Sequence, residues 1–215
     1  MNRRLATLAA LVASSAFCIA LVAARNLHTG NVNLRYLVWN LFLAWVPFVL
    51  ALAAYASARR PWSLVGLGVG WLLFFPNAPY IVTDFIHLDR DPSSSLWYEG
   101  LTIGAFAASG LALGFTSLYL MQCVVRREVG IVASWVVVLV ACALGSVGIY
   151  LGRFLRANSW DALTRPEWFA RLAHARLQDP FGNPRLIAVT IAFTLLLGLG
   201  YATLYAVAVP RLDRR

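Results

Sequence analysis

The stretch IVASWVVVLVACALGSVGIYL, residues 131–151, runs for 21 residues without a charge. A bilayer core is about 30 Å thick, and a helix crosses it in roughly 20 apolar residues. The stretch is too apolar for a surface helix of a soluble protein, so it reads as a membrane span. Comparable runs lie outward from it at residues 5–24, 36–58, 97–125 and 186–209. A sixth, 62–75, has only 14 residues before Pro76-Asn77-Ala78-Pro79 breaks it. These six define the expected fold class: all-α, a polytopic helical membrane bundle of about six transmembrane helices plus a short interfacial amphipathic helix, forming a single transmembrane domain over residues 1–215.

Composition agrees. Of 215 residues, 60% are hydrophobic and 13% charged, whereas a soluble domain carries about a quarter charged residues. The net charge of +9 arises from 18 basic residues, all arginine, against nine acids. That excess is divided between the two sides of a membrane, and it does not indicate nucleic acid. With six spans, the amino terminus, Arg59-Arg60, the Arg126-Arg127-Glu128 loop and the carboxyl tail share one side, at +7. Arg25, Arg35, Arg90 and the segment 152–185 share the other, at +2. Each side holds nine arginines, but the rule for orientation weights short loops, so both termini are expected on the cytoplasmic side. Arg3 and Arg4 before an apolar run, with Val22-Ala23-Ala24 at its end, resemble a signal peptide. The run exceeds a usual signal core, and the segment is read as a retained helix.

Several patterns have bland readings. Cys18, Cys123 and Cys142 stand singly and form no metal-spaced pair. Gly66, Gly68 and Gly70 lack the strand-turn-helix context of a nucleotide site. Gly100, Gly104, Ala108 and Ala112, and likewise Ala141, Gly145, Gly148 and Gly152, form small-residue stripes suited to helix packing. Between the fifth and sixth spans, Thr164-Arg165-Pro166-Glu167 reads as a capping box with proline in the first turn. The helix that follows places Trp168, Phe169 and Leu172 on one face and Glu167, Arg171, His174 and Gln178 on the other, as an interfacial helix does.

The chemistry concentrates in FFPNAPYIVTDFIHL, residues 74–88. Irregular backbone at membrane depth is tolerated only against protein or a water-filled cavity. Asn77 can cap a restarted helix, on which Tyr80, Asp84 and His87 share a face. Asp84 and His87 form a possible acid–base pair, and no metal set is recognised. In GRFLRANSWD, residues 152–161, Arg153 and Arg156 share a helical face and suit a phosphate or carboxylate, a lipid headgroup, or a pairing with Asp84, Glu99 or Asp161. Asn40, near the start of the second span, needs a partner. Span parity brings these residues to one side. The catalytic candidates are therefore Asp84 and His87. The ligand-binding candidates are Asn40, Asn77, Tyr80, Glu99, Arg153, Arg156, Asn158, Trp160 and Asp161.

The strings WNLFLAWVP (residues 39–47), WLLFFPNAPYIVTDFIHL (71–88), WY (97–98) and SVGIYLGRFLRANSWD (146–161) resemble a bacterial integral membrane family, domain of unknown function 1361. The resemblance covers roughly residues 35–205. It implies a multispan bacterial inner-membrane protein and supplies no reaction, cofactor or catalytic residue. The leading functional expectation is binding or handling of an anionic lipid or envelope-precursor group at the outer leaflet, through Arg153 and Arg156 with Asp84 and His87 shaping the pocket. The alternatives are an outer-leaflet enzyme using Asp84 and His87, a small-solute transporter built around the broken span, and a structural or partner-docking protein. The expected surroundings are the lipid bilayer and an anionic headgroup. Protein partners are left open.

Overall fold

A backbone in lipid must satisfy its own polar groups, and a helix does this within one segment. The computed structural model describes residues 3–30, 32, 34–57, 61–88, 95–179 and 181–208. Arg59, Arg60, Asp89, Arg90, Asp91, Arg211, Asp213, Arg214 and Arg215, which entered the loop-charge count, lie outside the described residues. Among the described residues the chain is helical and contains no strand. Its elements are α1 (Arg3–Thr29), α2 (Arg35–Ala56), α3 (Pro61–Phe74), α4 (Asn77–Tyr80), a 3-10 segment η1 (Ile81–His87), α5 (Leu96–Glu128), α6 (Ile131–Leu155), α7 (Asp161–Thr164), α8 (Pro166–Gln178) and α9 (Pro184–Ala208). Six runs are long and apolar enough to cross a membrane, the third comprising α3, α4 and η1 together. The protein is an all-α, multi-pass membrane bundle, as the long apolar runs require. Its helices pack as two compact units, Met1–Val124 and Val125–Arg215.

In the first unit, α1, α2, α4, η1 and α5 share a core that includes Leu11, Cys18 and Val22 of α1 and Leu37, Leu41 and Phe48 of α2. Ala78 and Ile81 from the broken span and Ile103, Phe106 and Leu113 from α5 complete it. Proline has no N–H and its ring crowds the preceding turn. Pro76 and Pro79 accordingly end the regular helix, and after a turn at 75–76 the chain resumes as α4 and then tightens to 3-10 winding. This segment lies directly on α5. A Cβ added to Gly110 would meet the Ala78 carbonyl oxygen at 2.5 Å, and one on Gly114 would meet the Ala78 Cβ at 3.2 Å. Glycine is required at 110 because only hydrogen leaves room for the carbonyl. Trp71 on α3 adds an Nε1 bond to Ser117 Oγ at 3.2 Å.

The expected stripe on α5 is corrected by these contacts. Gly100 and Gly104 do face Leu88 and Phe85, at 3.8 and 3.7 Å from their notional Cβ positions. Ala108 and Ala112 are exposed, whereas Gly110 and Gly114 are buried. Positions four apart advance about 40° around a helix of 3.6 residues per turn, so a strict four-residue stripe rotates off the packed face. The buried face follows alternating steps of three and four instead, through Ile103, Phe106, Gly110, Leu113 and Ser117.

The second unit is organised around α6 and α9. Ala141, Cys142, Gly145, Ser146 and Ile149 of α6 and Leu197 and Tyr201 of α9 are buried, and Thr194 Oγ1 donates to Ser146 Oγ at 3.2 Å. Ala141 and Gly145 of the second stripe are therefore packed, while Gly148 and Gly152 are half-buried. On α9, Ile191, Leu195 and Leu199 are exposed, as expected of a helix side that faces lipid. The capping box fails: α8 has Arg165 as its N-cap with no side-chain cap bond, and Thr164 belongs to α7, its hydroxyl bonding back to the Trp160 carbonyl at 3.3 Å. Pro166 does occupy the first turn. The two faces of α8 are as expected, with Trp168, Phe169 and Leu172 half-buried and Glu167, Arg171, His174 and Gln178 exposed.

Gly110→Ala should destabilise the protein by about 1–3 kcal/mol, the usual cost of overpacking. Ala108→Leu, on the exposed side, should stay within about 0.5 kcal/mol. Thermal unfolding of the two variants in detergent measures the difference.

Candidate functional site

One end of the first unit is joined by polar side chains from four elements. Arg25, near the end of α1, donates from Nη2 to Glu99 Oε1 in the first turn of α5 at 2.7 Å, and the two side chains are 1% and 4% exposed. One helical turn toward the core, the Tyr98 hydroxyl donates to the Leu21 carbonyl at 2.9 Å. On the other side, Asn40 Nδ2 of α2 donates to Asp84 Oδ2 of η1 at 2.8 Å. Asp84 is only 1% exposed. The Tyr36 and His87 rings meet edge to face, 5.3 Å between centroids. The Asn40 amide thus has the partner its position demanded.

The broken span sets this geometry. In 3-10 winding, residues three apart eclipse, so Asp84 and His87 keep one face while Tyr80, four residues before Asp84, turns away from it. The shared face expected of an α-helix through Tyr80, Asp84 and His87 is corrected on this point. Asn77 also differs from expectation. It is the first residue of α4 with Pro76 at the N-cap, and its Nδ2 donates back to the Phe74 carbonyl at 2.9 Å. The amide therefore closes the end of α3 and does not cap the start of α4.

Two clefts open at this end. One, of about 460 Å³, runs between α1 and α2 with apolar walls from Ile19, Val22, Val38, Trp39 and Phe42 and with Asn26 and Arg35 as its polar residues. Trp39 and Phe42 are stacked at 5.4 Å. Arg35 is exposed at the first position of α2, and the Asn26 Oδ1 is buried with no hydrogen-bond partner among the described residues. The other cleft, of about 390 Å³, lies between the end of α1 and the start of α5 and is lined by Arg25, His28, Thr29, Ser95, Trp97 and Tyr98. Arg25, Asn26, Arg35, Tyr36 and Tyr98 were not among the candidates drawn from the sequence. For Arg25 the signal was present, since loop sidedness already placed it with Glu99.

In the second unit, α6 ends at Leu155. Arg153 is half-buried in its last turn, whereas Arg156 is the C-cap, exposed and left-handed at φ 55°. The shared helical face expected of Arg153 and Arg156 is thereby corrected, because Arg156 lies beyond the helix. Asp161 Oδ2 accepts from the Asn158 backbone N at 2.7 Å and from its Nδ2 at 3.3 Å. Asn158 and Asp161 are thus engaged with each other at the start of α7, where Trp160 is the N-cap and 38% exposed. No three His, Cys, Asp or Glu side chains gather in a metal-binding arrangement among the described residues.

The family model described as protein of unknown function (DUF1361) matches residues 39–199. The chain belongs to the DUF1361 family. The matched part of this DUF1361 protein includes Asn40, Asp84, His87, Glu99, Arg153 and Arg156, while Arg25 and Arg35 precede it. No curated protein and no solved structure matches the chain.

Breaking a buried ion pair leaves an uncompensated charge, whereas replacing both members by apolar residues is often nearly neutral. Arg25→Met should therefore cost about 3–5 kcal/mol, and adding Glu99→Leu should restore most of that loss. Chemical unfolding of the single and double variants in one detergent provides the comparison.

Proposed function

We propose that the protein binds an anionic amphiphile, a lipid or an envelope precursor, at the polar end of its first unit. The headgroup is held at Arg35 and the apolar chain lies in the groove between α1 and α2. The groove itself carries this reading: about 460 Å³, walled by Ile19, Val22, Val38, Trp39 and Phe42 and headed by one arginine and one amide. That size suits a small-molecule site, and the lining has the mainly apolar, sparsely polar character of one. Arginine is the side chain best shaped to grip a phosphate, and the Asn26 Oδ1 can accept from a headgroup hydroxyl or amine.

Asp84 and His87 act in this reading through α2. Asn40 and Tyr36, their respective partners, stand on the same two turns as Arg35, Val38 and Trp39. The bond and the ring contact fix the wall of the groove, so both residues position the site. The arginine-rich short loops support cytoplasmic termini, which puts the groove at the outer leaflet. A bacterial inner membrane is the setting that the family resemblance supports.

The purified protein in zwitterionic detergent, offered phosphatidylglycerol and phosphatidylcholine in equal amounts, should retain the anionic lipid. Arg35→Gln should lower that retention about tenfold, equivalent to about 1.4 kcal/mol for the loss of a charge-assisted contact. Arg165→Gln, an exposed substitution elsewhere, should leave it unchanged. Equal retention by the Arg35 variant and the parent in native mass spectrometry would refute the proposal.

A further inference from the structure

The amphipathic helix α8 carries one cation on its wrong side. Arg176 follows Trp168 by eight residues and Leu172 by four, which places all three on one helical face. That face is the half-buried one, and the other polar residues of the helix, Glu167, Arg171, His174 and Gln178, are exposed. The Arg176 Nε and Nη1 are buried, and no described residue gives either atom a hydrogen-bond partner. Arginine keeps its charge at any accessible pH and has five N–H donors to satisfy. The side chain as a whole is half-buried, but donors closed off from water without an acceptor carry an unrecovered desolvation cost. The acids of the same segment do not supply one: Asp161 is engaged by Asn158, and Glu167 and Asp179 are exposed.

We infer that Arg176 is the cation of a phosphate-binding site on the inward face of α8, distinct from the groove at Arg35. Its flanking Trp168, Phe169 and Leu172 name the depth. An amphipathic helix in the interface sets such side chains about 5–10 Å into the headgroup and acyl boundary. A guanidinium at that level meets the phosphodiester layer, and the same atoms would hold a free phosphate. The site belongs to the second unit and rests on Arg176 alone, so it stands whether or not the Arg35 groove binds lipid.

Native mass spectrometry of the full chain with phosphatidylglycerol tests both sites together. The parent should retain two lipids, Arg35→Gln and Arg176→Gln one each, and the double variant none. Each single loss should correspond to about a tenfold weakening. An Arg176→Gln variant that keeps as many lipids as the parent overturns the inference, and an equal loss in Arg171→Gln on the exposed face does so too. Loss only at Arg35 or only at Arg176 tells the two proposals apart. Millimolar inorganic phosphate that displaces the second lipid assigns the site to free phosphate, and failure to displace it assigns the lipid headgroup.

Arg176→Met guards against misfolding as an explanation. In phosphate-free zwitterionic detergent it should melt above the parent, because two buried nitrogens without hydrogen-bond partners are gone. Added phosphatidylglycerol should then raise the melting temperature of the parent and not that of the variant. A variant that melts lower and still gains from the lipid overturns the inference.

Discussion

The Ala78 carbonyl lies so close to Gly110 that a Cβ there would sit 2.5 Å from its oxygen. The rest of the first unit depends on this approach. Pro76 and Pro79 interrupt a span that hydrocarbon does not tolerate as open backbone, so the interruption has to be seated on protein. Gly110 and Gly114 provide the seat on α5, and the Cβ of Ala78 occupies the remaining space. With that segment fixed, η1 presents Asp84 to Asn40 and His87 to Tyr36. Moving the seat by one helical turn would uncouple α2 from the broken span.

The polar contacts at this end follow from the cost of burying charge and amide groups. Arg25 and Glu99 are both nearly inaccessible, and Asp84 is as buried as the apolar residues around it. Burial of ionised groups is tolerated when each finds a partner, and the partners here come from different helices. The outcome is a set of cross-links among α1, α2, η1 and α5 that leaves two clefts between them. The polar residues expected to do chemistry are thus partly consumed in holding helices together. Residues beside them, Asn26 and Arg35, are the ones that head an open groove.

Some features were legible because they depend on local rules. Length and charge gave the six spans. Proline chemistry located the break at residues 76–79, where the structure has a turn at 75–76 and a restarted helix, and periodicity separated the two faces of α8. The need of Asn40 for a partner was legible as well, although its partner was not. Other readings erred where a local rule met a competing geometry. The capping box at Thr164 failed because α7 takes that threonine into its own last turn. The face of Tyr80, Asp84 and His87 changed because the chain tightens to 3-10 winding after Tyr80. Arg176 could have been found from its spacing to Trp168 and Leu172, since that spacing already places a cation on an apolar stripe.

The sequence by itself determined that this is a multi-pass helical membrane protein with its third span broken by proline. Hydrophobic length, charge and backbone hydrogen bonding are summed along the chain and need no long-range partner. Only the tertiary structure decided that Glu99 pairs with Arg25, 74 residues away, and Asp84 with Asn40, 44 residues away. It also decided that Gly110 takes the close approach while Ala108 and Ala112 face outward. Those outcomes depend on how helices rotate about their axes when they pack. That rotation is set by the combined fit of side chains from several helices, which no single stretch of sequence encodes.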